Sequence, residues 1–473
     1  TVALHRLAWL LQPQGDRRVD PRHTRVVVMN KSLQVYVSHT LPSMGIEGVP
    51  ITTFNSWALA TIRQAFGNGK IPNFKFREIP SFVEEIKFSE EILAAIAEKV
   101  AGQVEHLDRA VAEETLSDQS GLQEIWKRHR SRAILPRLRD FLHQVRNGEL
   151  PADVKTRVQV DLQSRLDRLE DYVEDVFSLL SDMSLLERHL KRDPRRREHL
   201  EFLRRLTTKN REQGHLDYFD LSLMLRLIQL KNGGLPGPDG APLALDHLVV
   251  DEAQDFGPVE FAVMVESLKD KRHVTIVGDV AQKILFSRKF VGWDQLTQSL
   301  GIKSDELIRL EVSFRCTAEI MNLARKVEGK PGAVEGRRGA PPVWERIETR
   351  DEILQKITDW VEALQARDPL KLIALICRYP KQALELKEDL DEMIPGGVRL
   401  GRREMFSFEP GVLATNIHQV KGLEFDSVAL IEPSDAHYPH RQPENRNLLY
   451  VGITRAQDDL LLISEDEFSK FLL

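Results

Sequence analysis

The chain has 473 residues and a mass of 54.2 kDa, room for two to four domains, and its 42% hydrophobic and 29% charged residues are an ordinary globular balance. Lys+Arg total 66 against 72 Asp+Glu, so the net charge of −6 excludes a histone-like coat of positive charge, though not a nucleic-acid motor that lines one channel with basic groups. Two cysteines exclude a disulfide framework or a four-cysteine zinc site and fit a reducing cytoplasm, and no apolar run approaches the ~20 residues that span a bilayer, so no membrane partner is expected.

TVALHRLAWLL opens with a helical pattern that begins without a cap. RVVVMN (25–30) and VPITTF (49–54) predict short strands, with a helix between them up to Pro42. Strands alternating with helices predict a parallel sheet. From 71 to 214 the strand signals disappear. Leu162, Leu166, Leu169, Val173, Val176, Leu180 and Met183 recur at alternating spacings of four and three, which predicts an amphipathic helix packed inside a helical subdomain. The basic segment 191–211 reads either as a solvated helix face or as a phosphate contact.

Gly-Pro punctuation at 232–242 ends that region, and the α/β pattern resumes. HLVVDEAQD (247–255) and HVTIVGD (273–279) predict buried strands ending in acidic residues. KLIALICR (371–378), GVLATNIH (411–418), SVALIEP (427–433) and DLLLISE (459–465) predict four more, and 326–342 reads as a loop. The expected organisation is α/β: 1–70 with 215–300 as a first α/β domain, 71–214 as a mainly helical insertion in it, and 301–473 as a second α/β domain.

The acids come at strand ends, where open α/β sheets place their ligands. Asp251 there can hold Mg²⁺ beside nucleotide phosphates, and Glu252 can orient or deprotonate an attacking water. Such a pair can also cap a helix; the whole string DEAQD after an apolar run is the more specific sign. Gln282, after Asp279, carries an amide able both to donate to a phosphate oxygen and to accept from water. Arg315 precedes a helical pattern, and Arg455 lies between two apolar runs. Singly each arginine reads as a surface ion-pair partner; reaching one nucleotide, they can stabilise charge developing on the γ-phosphoryl group. Thr415, His418, Lys421 and Glu424 cluster around a glycine turn.

In chain order, DEAQD, GDVAQ, SFR, TNIHQVKGLEFD and YVGITRA resemble the ordered motifs of superfamily 1 helicases of the UvrD/Rep type. The resemblance covers roughly 1–70 and 215–473. It implies two RecA-like motor domains that hydrolyse ATP with Mg²⁺ in the cleft between them and act on single-stranded or partly duplex DNA. It assigns Asp251 to Mg²⁺, Glu252 to water activation, Gln282 to γ-phosphate sensing, Arg315 and Arg455 to fingers from the second domain, and Glu424 to the nucleotide sugar. Thr53, Phe54, Thr415 and His418 would lie near the nucleic-acid strand.

Three departures qualify the resemblance. No G-x-x-x-x-G-K-[ST] occurs: Gly69-Lys70 is followed by Ile71, Gly329-Lys330 by Pro331. The loop is expected just ahead of Thr1, and this chain alone is expected to bind ATP weakly and to be inactive without the loop's N–H cradle. After GDVAQ, Lys283 and Leu285 stand at the family's polar and aromatic positions; Phe286, Phe290 and Trp293 read as core or as replacement stackers. The second motor half also has no room for a large insertion, which is similar to the compact HelD-like branch and makes RNA polymerase an alternative partner. A third reading is a non-catalytic scaffold that has lost its phosphate loop.

Overall fold

The computed structural model describes residues 2–11, 19–67, 69–190, 195–283, 292–300, 307–308, 310, 315–330, 332–402 and 406–473. Thr1, residues 191–194 of the basic segment, Leu285, Phe286, Phe290 and the 311–314 stretch ahead of Arg315 lie outside them. Among the described residues no helix is long and apolar enough to cross a membrane.

The architecture is α/β, with two parallel sheets flanked by helices. Strands β1 (Thr24–Val28) and β2 (Ile51–Thr53) pair in parallel, Val26 opposite Ile51. Two-residue strands β3 (Phe74–Lys75) and β4 (Leu216–Asp217) pair with each other and bracket the helical region. Next come β5 (His247–Val250) and β6 (Val274–Ile276), and the first sheet runs β2-β1-β5-β6, all parallel. The side chains of β1 and β5 alternate between two cores, as a period of two requires when both faces are covered. Val27, Leu248 and Val250 join the core shared with the helical region, while Val26, Val28 and Val249 join the core shared with the second sheet.

Between β3 and β4 every regular element is helical, from Ser81–Phe88 through Arg196–Glu212. The seven-residue apolar seam is not one helix. It runs through three, Ala152–Leu169, Tyr172–Ser181 and Met183–His189. Asp171 and Asp182 break it, each accepting the backbone N–H of the third residue on (Glu174 and Leu185, both 2.9 Å), so each starts a new helix as an N-cap. The apolar positions nonetheless share one core: Leu162, Leu166, Leu169, Val176 and Leu180 are buried, with Val173 and Met183 packed against them. The described part of the basic segment is an amphipathic helix burying Leu200 and Leu203, with Arg197, Arg204 and Arg205 exposed.

The second sheet contains β7 (Val343–Arg346), β8 (Leu372–Cys377), β9 (Val398–Leu400), β10 (Gly411–Asn416), β11 (Phe425–Ile431) and β12 (Ala456–Ser464), ordered β7-β12-β11-β8-β10-β9 and parallel throughout. Its two edge strands, β7 and β9, were not foreseen. β7 is largely exposed and β9 only three residues long, so neither carries an apolar run. In β8, Ala374 and Ile376 face the core shared with the first sheet, while Ile373, Leu375 and Cys377 face the opposite core. Both cysteines are buried and free.

Candidate nucleotide cleft and nucleic-acid face

Asp251 leaves the end of β5, its backbone N–H donating to Val27 O at 3.0 Å, so the strand ladder fixes where the carboxylate emerges. Glu252 follows at φ 55°, ψ 43°, a left-handed conformation that a non-glycine residue adopts only under constraint and that clusters at functional sites. The turn is held from several sides. Glu252 N–H donates to Asp251 Oδ1 at 3.0 Å, and Gln254 Nε2 to Glu252 Oε2 at 2.6 Å. Gln254 Oε1 accepts the Asp279 N–H at 2.9 Å, tying the ends of β5 and β6 together. A Cβ on Gly278 would sit 2.4 Å from Gln254 Oε1, so the close approach of the two turns requires glycine there. Asp251 is still partly reached by solvent but ringed by protein; burial first, and the Glu252 charge second, push its pKa up to about 6.

The second half reaches into this turn. Lys421 is fully buried, pairs with fully buried Asp255, and lies 3.5 Å from Glu252 Oε2; it also donates to the Gln282 carbonyl. Gly422, at φ 79°, lets the chain pass: a Cβ there would meet Leu33 Cδ2 at 2.8 Å and Glu252 Oε1 at 3.4 Å. Arg455, buried just ahead of β12, donates from Nη2 to Gln282 Oε1 at 2.7 Å, from Nη1 to Leu423 O at 2.9 Å and from Nε to Val451 O at 3.0 Å. Burial pushes its pKa down, with the Arg315 charge next. Gln282 completes the link by donating to Asp279 Oδ2 at 2.9 Å. Arg315 pairs with Glu424 at 2.5 Å, and Gln457 Nε2 donates to the other Glu424 oxygen at 3.1 Å. Acids of the first sheet and the arginines and lysine of the second thus meet in one cleft.

The four residues expected near a nucleic-acid strand are not gathered in this way. Thr53 caps helix Phe54–Phe66 by accepting the Ser56 N–H at 3.2 Å, and Phe54 is buried between Trp57 and Phe256. Thr415 is buried and donates its hydroxyl to Gly401 O at 2.8 Å. His418 is exposed, its Nε2 3.0 Å from Arg378 Nη1. Trp293 starts a helix and packs against the first core, and the Lys283 carbonyl accepts from Asn447 Nδ2 at 2.9 Å.

Three features escaped the sequence reading. Gln254 and Asp255 lie inside DEAQD, but their partners arrive only on folding. A cleft of about 490 Å³ beside the start of helix Phe54–Phe66 is lined by Asn55, Phe76, Arg77, Tyr218 and Phe219. Phe76 is 72% exposed, its ring 6.0 Å from Tyr218 and 5.9 Å from Phe219. The Tyr-Phe doublet just after β4 was the one available signal.

Two parallel sheets flanked by helices, the first presenting acids at its strand ends and the second sending arginines across to them, form two RecA-like halves that face one cleft. The family model for the UvrD/REP helicase N-terminal domain matches residues 22–288, more than half of the chain, and that for the UvrD-like helicase C-terminal domain matches 411–463. The chain belongs to the UvrD/Rep helicase family of superfamily 1. It is similar to the ATP-dependent DNA helicase UvrD2 of Mycobacterium tuberculosis (33% identical over 139 residues, 27% of this chain and 17% of that protein). It is also similar to DNA helicase II of Haemophilus influenzae (29% over 179 residues, 33% of this chain and 23% of that protein). The chain therefore spans about a fifth of the length of these relatives. A solved structure, the C-terminal domain of a possible DNA helicase from Lactobacillus plantarum WCFS1, aligns with 34% of this chain and 92% of that one, at 22% identity and a TM-score of 0.29.

Proposed function

We propose that the chain belongs to the motor core of an ATP-dependent translocase or helicase on single-stranded DNA, and that ATP is hydrolysed between its two RecA-like halves only in a protein that also supplies the phosphate loop, for which this chain has no G-x-x-x-x-G-K-[ST]. The observation that carries this is the Glu252–Lys421–Asp255 and Gln282–Arg455 network, which joins the acidic turn of one half to the basic groups of the other. The donor set fits a magnesium nucleotide. Mg²⁺ is commonly held by one or two carboxylates with phosphates and water, and Asp251 offers one carboxylate at a strand end, with Arg315 and Arg455 near enough to act on the charges of this acidic turn. When bound, the ion neutralises charge on the β- and γ-phosphates. Glu252 takes the proton of the attacking water. Gln282 and the two arginines exchange their present partners for the terminal phosphate, so closure of the halves and nucleotide contact become one event. Thr53, Phe54, Thr415 and His418 support the strand-facing surface: His418 from exposure, the other three by fixing the local backbone.

The test is Glu252→Gln in the intact protein. It should lower DNA-stimulated ATP turnover by roughly 10²–10⁴-fold, the range of a general base, while nucleotide affinity stays near the parent value. Undiminished turnover would remove Glu252 from this role. A second reading, a HelD-like ATPase that remodels RNA polymerase, is favoured by the compact second half: β8 ends at Cys377 and β10 begins at Gly411. Strand displacement without polymerase binding supports the first reading, and the reverse the second.

A further inference from the structure

The loop between helix Ala318–Glu328 and β7, which the motor chemistry leaves without a role, doubles back over the start of that helix. Val334 N–H donates to Asn322 Oδ1 at 3.0 Å, and Ala318 N–H donates to Arg337 O at 2.7 Å. Gly339 N–H donates to Glu319 Oε2 at 2.8 Å, and Arg338 lies 3.3 Å from the other Glu319 oxygen. A Cβ on Gly339 would sit 2.3 Å from Cγ2 of Thr317, the buried threonine that caps the helix, so only glycine lets the loop lie this close. These ties fix the loop backbone, and with it the point from which the Arg337 side chain reaches out.

Arg337 is about half exposed, and its Nη1 pairs with Asp458, which Lys371 also holds at 3.2 Å. An exposed ion pair alone contributes little. The other terminal nitrogen sets this arginine apart. Nη2 donates to the Arg315 carbonyl at 3.2 Å and to the Gln457 carbonyl at 2.8 Å. The first carbonyl belongs to one of the two finger arginines; the second lies two residues past the other, Arg455. The Gln457 carbonyl also accepts the Thr317 N–H at 3.2 Å, so the chain just after Arg315 is joined to the chain just after Arg455. The side chains repeat the link, since Arg315 and Gln457 both hold Glu424. A planar guanidinium, with its donors in a fixed fork, can bridge two carbonyls and a carboxylate at once, whereas an ammonium on a flexible stem is a point charge that fixes no such geometry.

We infer that Arg337 is a positioning residue for the two fingers. It clamps the backbone that carries Arg315 to the entry of β12 that carries Arg455, so that both guanidiniums enter the cleft at a fixed separation. The inference deepens the motor reading above and rests on it. Arg337 acts through Arg315 and not on the nucleotide. Misplacing a reacting group by about 1 Å can cost ~10²-fold, and a finger itself is worth ~10³–10⁵-fold, so loss of the clamp should cost less than loss of the finger.

Two measurements test it. In the intact protein, with its phosphate loop, Arg337→Ala should lower DNA-stimulated kcat roughly 10- to 100-fold while KM for ATP stays within about threefold of the parent. In an Arg315→Ala background the same change should have little further effect on kcat, because a finger that is absent cannot be misplaced. An equal loss in both backgrounds would show a general structural role and overturn the assignment. Arg337→Lys keeps a charge beside Asp458 but not the fork, and should behave like the alanine variant; full activity in it would place the whole effect in the ion pair and refute the clamp. The second measurement is amide exchange on the 473-residue chain alone. In Arg337→Ala exchange should quicken at 315–318 and 455–458 and keep the parent rate in β8, because a half-exposed side chain can be removed without opening a core. Unchanged exchange in the first two segments would mean that nothing there is clamped. If the parent turns over ATP and is indifferent to Arg337, this inference fails while the motor reading stands; if the parent has no turnover, both fall.

Discussion

Replacing Lys421 by methionine removes one ammonium and keeps the length of the side chain. The lysine is fully buried between fully buried Asp255 and partly hydrated Glu252, and both carboxylates belong to the opposite half. Removing one member of a buried ion pair costs about 3–5 kcal/mol. Nearly all of this falls on Asp255, because the Glu252 side chain retains 12% exposure and the hydrogen bond from Gln254. The cost has an upper bound set by the docking of the halves, for if they part, water reaches Asp255. At roughly 2–4 °C per kcal/mol for a domain of this size, the melting temperature should fall by about 6–20 °C, or by less if the halves open first. Amide exchange distinguishes the two outcomes: early opening speeds exchange around 252–256 and 417–424 before the rest of the chain. Adding Asp255→Asn to Lys421→Met should recover most of the loss, because the buried carboxylate charge that the ammonium offset is then removed with it. Melting within a degree of the parent, with unchanged exchange in both segments, would show that this pair does not hold the halves together.

Two further outcomes follow from the same turn. Asp251 has its pKa pushed up to about 6, and a protonated acid holds no cation, so affinity for Mn²⁺ with nucleotide, read by electron paramagnetic resonance in the intact protein, should climb between about pH 5 and 7 and then level. The raised value also means that Asp251 favours folding most below its unfolded pKa of 3.8 and that this contribution is lost as pH rises through about 6; Asp251→Asn should remove both dependences, and a flat profile in the parent would refute the shift. Gly278→Ala would drive a Cβ to 2.4 Å from Gln254 Oε1 and strip the Asp279 N–H of its acceptor, a loss of about 1–3 kcal/mol readable as a lower urea midpoint; an unchanged midpoint would mean that the two turns can separate freely.

The strands read in advance are the interior ones, β1, β5, β8, β10, β11 and β12, because a parallel strand between two layers must be nearly all apolar, together with the short first-sheet edges β2 and β6, whose ITT and VTI are rich in β-branched residues. The edge strands β7 and β9 have no such requirement, and VWER gives no run to find. The seam from Leu162 to Met183 was legible as one apolar face but not as three helices. Periodicity reports which side of a helix is buried, whereas Asp171 and Asp182 act through caps, and an aspartate on the polar side of a continuous helix gives the same letters.

The site divides along a similar line. Asp251, Glu252, Gln282, Arg315, Glu424 and Arg455 are polar residues set immediately beside apolar runs, where burial makes them costly without a purpose, and the order of their motifs carried the family resemblance. Their pairings were not legible. Lys421 meets Asp255 across 166 residues, and only docking of the halves decides that Arg455 finds Gln282 and Arg315 finds Glu424. Exposed aromatics are the hardest case. In sequence Phe76 and Tyr379 look like core residues, because composition cannot distinguish a ring that packs from one held out to solvent. What separates them is the neighbouring scaffold: Phe54, a candidate for the strand, is enclosed by Trp57 and Phe256, while Tyr379 stands at the end of a fully buried strand with its backbone capped and only a guanidinium against one face.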